Sequence, residues 1–255
     1  MGTTVGHTDG GTAARPPRRA TAGLPHALIV AALGAGLGLG PAGALVGMIY
    51  GACLAVLLAR ALRSAGRIAP GPADHVTLAR ALLVGGVTAL VADGLVTGSP
   101  AVKTIVGLAA VALALDAVDG QVARRTGTAS PLGARFDMEV DAFLIAVLSV
   151  QVAVVAGWWV LAIGAMRYVF VLAGYVWPWL RGTLPPSYVA KAIAAIQGIV
   201  LTVAAAGLLP AMVTEAAVAV ALTLLTWSFG RDVPRLRALA RVHHHPRHPQ
   251  PRPAT

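Results

Sequence analysis

"LDAVDGQVARRTGTASPLGARFDMEVDAF", residues 115–143, holds five of the ten acidic side chains in a chain of 255 residues. Asp116, Asp119, Asp137, Glu139 and Asp141 sit there with Arg124, Arg125 and Arg135, between two apolar runs. Asp116 and Asp119 are three residues apart at the end of the first run, and Asp137 and Asp141 are four apart at the start of the second. On helices, each pair shares a face. Glu139 falls off the face of its neighbours. The connecting "TGTASPLGA", residues 126–134, is short enough to fold the two helices side by side, so four carboxylates are expected to converge at one edge of an apolar layer.

That layer is a membrane. The chain is 57% hydrophobic and 12% charged, with a mean hydropathy of +0.75, whereas a soluble domain carries roughly 25% charged residues. A span needs roughly 20 mostly apolar residues. Runs of that kind lie at 25–40, 43–62, 77–97, 102–118, 138–156, 158–178, 188–208 and 211–229. The fold class expected is therefore all-α and polytopic, with about eight transmembrane helices. Six from residue 77 onward form a core, and residues 24–63 form an extra N-terminal hairpin.

The net charge of +10 does not point to nucleic acid, because the cations sit at the ends of apolar runs and in the tails rather than on one face. Positive residues in short loops mark the cytoplasmic side and attract anionic headgroups. Arg15, Arg18 and Arg19, then Arg60, Arg63 and Arg67 with Arg80, then Arg124, Arg125 and Arg135, then Arg181 and Lys191, then Arg231 to Arg241 alternate with outer segments where only Lys103 is basic. This distribution predicts a multi-pass protein of the cell membrane, with both termini and the acidic cluster on the cytoplasmic side. Trp158 and Trp159 are expected at the outer interface, and Trp177 and Trp179 at the inner one.

Residues 1–23 and 231–255 read as basic tails, the second rich in His and Pro and too irregular to preorganise a metal site. Cys53 lies alone in an apolar run, as a small packing residue. Gly43, Gly47 and Gly51 make a small-residue ridge for close approach of another helix, within the chain or across a dimer.

Four carboxylates at one point repel one another and stay ionised only with cations among them. Oxygen-only ligands select hard ions such as Mg²⁺, Mn²⁺ or Ca²⁺. Two such ions form a clamp for a phosphoryl group. Gly120 and Ala123 leave a gap beside the helix backbone, Arg124 offers a fork-shaped phosphate donor, and Gly133 leaves similar room one turn before Asp137. A single aspartate would be explained by a neighbouring arginine at a helix end. Four at this spacing, at a membrane edge where carboxylates are costly, point to function.

Written out, the stretch is Asp116-x2-Asp119-Gly120-x2-Ala123-Arg124-x8-Gly133-x3-Asp137-x3-Asp141. It resembles, at every position, the signature DxxDGxxAR-x8-GxxxDxxxD of the CDP-alcohol phosphatidyltransferases. "HVTLARALL" is similar to that family's first core helix in Thr77 and Arg80, and "AKAIAAIQ" keeps Lys191 and Gln197 of a later motif while losing its Gly, second Lys and Thr. The likeness covers residues 74–230. It implies a six-helix core, often dimeric, that moves a phosphatidyl group from a CDP-linked donor such as CDP-diacylglycerol to an alcohol in phospholipid biosynthesis, releasing CMP. Asp116, Asp119, Asp137 and Asp141 would hold two Mg²⁺ or Mn²⁺ ions, with Asp141 also a candidate base. Gly120, Ala123, Arg124, Gly133 and Thr77 would receive the CDP donor, and Arg167, Arg181 and Lys191 are candidates for an anionic acceptor.

Two other functions use the same acids. A divalent-cation transporter would place them near mid-membrane on broken helices, and a catalytically silent membrane protein would have no need to keep all four. The edge position and the Gly-Ala-Arg spacing favour the transferase.

Overall fold

The computed structural model describes residues 31–32, 35–36, 38–64, 72–126, 131–182, 184 and 187–244; within these, side chains 72–74, 118–126, 131–132 and 242–244 are outside the description. Seven α-helices and two 3₁₀ segments, with no strand among the described residues, follow in order. They are α1 (Pro41–Ser64), α2 (Pro72–Thr97), α3 (Val102–Thr126), α4 (Pro131–Ala156), a 3₁₀ turn (Trp158–Val160), α5 (Leu161–Val176), a second (Pro178–Arg181), α6 (Tyr188–Ala206) and α7 (Ala211–His244). Most of the expected run at 25–40 lies outside the described residues.

Proline opens α1, α2 and α4, where its missing N–H and fixed φ cost nothing. Ser187 caps α6 by accepting from the Ala190 N–H, and Gly207 closes it in the left-handed region at φ 63°. Among the described residues, six helices are long and apolar enough to cross a membrane: α1, α2 from His75, α4 from Gly133, Trp158–Val176, α6 and α7 to Arg241. Leu45, Met48, Ile49, Val56 and Leu57 stand exposed along α1, as a lipid-facing surface requires. The chain is a multi-pass membrane protein.

The centre of the bundle is α2, of whose span 56% is buried, against 22% for α1. It packs on α1, α3 and α4, while α4 also meets α5 and α6, and α6 meets α3 and α7. Ala81, Val84, Val87, Ile105, Leu144, Leu148 and Leu201 form the core of that contact. The glycine ridge of α1 is spent inside the chain: Gly43, Gly47 and Gly51 are buried. A Cβ on Gly43 would come 2.7 Å from the Ala89 carbonyl oxygen, so α1 lies backbone to backbone on α2. The Tyr50 hydroxyl donates to the Ala81 carbonyl at 2.8 Å, and its ring lies 5.4 Å from that of Phe143.

Three helices run past the apolar stretches that announce them. α3 continues to Thr126 and α4 begins at Pro131, so both reach beyond the apolar layer and carry the acidic residues on helical backbone. α7 continues to His244, where the sequence suggests a tail from 231. "RLRALAR" is built of good helix formers, and Leu236 is buried against the chain at Gly182. An apolar ruler measures only the membrane portion of a helix. It cannot see a helix that continues into water.

Candidate functional site

α2 is neighbour to both helices that bear the aspartates, and this places three carboxylates together. Asp116 comes from α3, Asp137 and Asp141 from α4, one turn apart. Each offers an oxygen, and those oxygens all lie within 4.8 Å of one another. α2 contributes the group at their centre. Arg80 donates from Nη1 to an oxygen of Asp137 and from Nη2 to one of Asp141. Its Nη1 is 2.9 Å from Asp116 Oδ1.

Exposure separates floor from rim. Arg80 is 1% exposed, whereas the side chains of Asp116, Asp137 and Asp141 are 40%, 33% and 34% exposed. The arginine closes the bottom of a shallow acidic cup whose carboxylates remain reachable from the polar side. Its Nε is buried and has no hydrogen-bond partner among the described residues. Thr77, one turn earlier on α2, is buried at 3%. Gly133, one turn before Asp137 on α4, is half-buried. Asp119, Gly120, Ala123 and Arg124 stand on the last turns of α3, but their side chains lie outside the described residues.

The cationic candidates sit apart from the cup. Arg167 of α5 pairs through Nη2 with Glu139 at 2.5 Å, and Nη1 is 3.5 Å from Met138 Sδ. Glu139 lies between Asp137 and Asp141 in α4, so Arg167 stands at the depth of the acids on a neighbouring face. Arg181 is exposed, its guanidinium carbon 4.4 Å from the Tyr175 ring centre. Lys191 is exposed in the first turn of α6.

The profile of one protein family, CDP-alcohol phosphatidyltransferase, matches residues 72–228. The chain belongs to that family. No curated protein and no solved structure matches it. The CDP-alcohol phosphatidyltransferase match starts where α2 starts and ends within α7, leaving α1 outside. Members of the family are transferases and typically depend on divalent metal. The cup suits such an ion, since its donors are all carboxylate oxygens on short, convergent side chains.

Arg80 is the residue that sequence reasoning did not assign to the site. The signal was present: a cation within an apolar run needs partners, and its place three residues after Thr77 matches the family's first helix. What was hidden is that the partners lie 57 and 61 residues away.

Proposed function

We propose that this protein is an integral membrane enzyme that transfers a phosphatidyl group from a CDP-linked lipid such as CDP-diacylglycerol to an alcohol, releasing CMP. The observation that carries this is the convergence of Asp116, Asp137 and Asp141 from two helices onto one point, within the segment that matches the family. Asp116, Asp119, Asp137 and Asp141 would hold two Mg²⁺ or Mn²⁺ ions. Bound there, such ions would supply positive charge to offset that of the diphosphate and of the leaving CMP.

The chain's own groups supply the remainder. Gly120, Ala123 and Gly133 leave room for the cytidine and diphosphate, Arg124 donates to phosphate oxygens, and Thr77 borders the same end of α2. The acceptor hydroxyl oxygen forms a bond to the phosphatidyl phosphorus as the bond from that phosphorus to the CMP oxygen breaks. Asp141 takes the hydroxyl proton. Arg167, Arg181 and Lys191 would bind an anionic acceptor. Arg167 keeps a buried Nε without a partner beside its pairing to Glu139, which supports a further contact there.

In this assignment residues 74–230 form the catalytic domain, residues 24–63 an added hairpin, and residues 1–23 and the segment from 231 basic extensions. Active site and termini face the cytoplasm, two copies assemble as a homodimer, and membrane lipids surround them. The test is CMP release by purified protein with CDP-diacylglycerol, Mn²⁺ or Mg²⁺ and a panel of alcohols. Asp137→Ala is expected to abolish release. Absence of CMP with every acceptor, together with metal flux into liposomes, would replace the transferase with a transporter.

A further inference from the structure

We infer that Arg80 is a built-in stand-in for the metal: its guanidinium holds Asp116, Asp137 and Asp141 together in the metal-free protein and is displaced from them when divalent cations bind. This rests on the proposal that the acidic cup is the metal centre. Arg80 reaches all three carboxylates at once, from a helix other than those that bear them. Its charge offsets the mutual repulsion of these three carboxylates, which otherwise presses α3 and α4 apart at this end.

The same contacts make Arg80 a competitor. A guanidinium takes the lone pairs that a cation would use, and its charge repels an ion brought close. The held position also has a cost that eases release. Nε–H is buried without an acceptor among the described residues, so the arginine leaves that donor unsatisfied while it grips the acids. Such a latch keeps the cup shaped for metal without locking it. A merely structural buried ion pair behaves differently, because its loss destabilises the protein whether or not metal is present.

Arg80→Gln removes the charge while keeping most of the volume. Its metal-free form, in a chelator, is expected to melt well below wild type, and saturating Mn²⁺ is expected to restore most of the difference. Mn²⁺ affinity, read by titration calorimetry or by the loss of free-ion spin resonance, is expected to rise about tenfold or more. Arg80→Lys keeps one charge but cannot bridge three carboxylates, and is expected to fall between the two. The latch is refuted if either variant binds Mn²⁺ no more tightly than wild type, if Arg80→Gln melts early in Mn²⁺ and chelator alike, or if neither variant folds even with Mn²⁺. Wild type that binds no Mn²⁺ and releases no CMP sinks the metal centre itself. Wild type that does both, with no tightening in the variants, sinks only the latch.

Discussion

Gly164 offers a test of how tightly the helices beneath the site are set. It is buried on α5 and faces α4, and a Cβ there would lie 2.6 Å from Ala146 Cα, 3.2 Å from Ala146 Cβ and 3.1 Å from Ser149 Oγ. Ordinary carbon contacts are about 3.5–4.0 Å, so Gly164→Ala forces the two helices apart by roughly 1 Å. The obstacle is backbone, and no rotamer change relieves it. α4 has nowhere to retreat, since Leu144 and Leu148 on it are 1% and 0% exposed against the core. Overpacking of this kind costs about 1–3 kcal/mol, and the helix propensity gained by alanine returns about 0.5–1 kcal/mol. A net loss of about 0–2.5 kcal/mol against wild type is expected, and of about 1–3 kcal/mol against a glycine-to-alanine change that meets no obstacle.

Two controls set the reference for that value. Gly107→Ala has nothing within 4 Å of the new Cβ and should be neutral or slightly stabilising. Gly198→Ala meets Leu113 Cδ2 at 2.7 Å, the tip of a side chain that can turn, and should lie near wild type. Unfolding by heat or by sodium dodecyl sulfate in one detergent, followed by far-ultraviolet circular dichroism, ranks the three. If Gly164→Ala is as stable as Gly107→Ala, the close approach of α4 and α5 is wrong.

Tyr50→Phe removes the bond to the Ala81 carbonyl and should cost about 0.5–1.5 kcal/mol in the same unfolding assay, with no change in CMP release; an unchanged melting curve would deny α1 this tie to α2. Glu139→Gln breaks a pair whose side chains are 56% and 29% exposed, worth at most about 1 kcal/mol. CMP release should stay within about twofold of wild type, and a tenfold fall would move Glu139 into the machinery. Arg181→Ala should raise KM for a phosphorylated or carboxylated alcohol severalfold with kcat little changed, whereas a fall in kcat alone would remove it from the acceptor pocket.

Much of this protein can be read from its sequence because the controlling physics is local. A run of about 20 apolar residues must be a helix in lipid, since every backbone polar group has to be satisfied within the segment. The spacing of Asp137 and Asp141 puts them on one face whatever surrounds them. The family pattern over residues 116–141 is likewise linear, and the profile match over 72–228 agrees with it. Hydropathy was least informative where helices leave the membrane, at the end of α3, the start of α4 and the last turns of α7.

Only tertiary structure decided which groups meet. Periodicity could say that Gly43, Gly47 and Gly51 form a ridge, but not that α2 lies against it. The sequence could name Arg167 as a candidate for an anionic acceptor, but not that Glu139 pairs with it. Above all it left Arg80 as a loop-side charge, whereas packing of α2 against both α3 and α4 carries that guanidinium into the centre of the acidic cup. The reason is physical: hydropathy and helical spacing act along the chain over a few residues, while Coulomb attraction and close packing act through space and join residues separated by several helices.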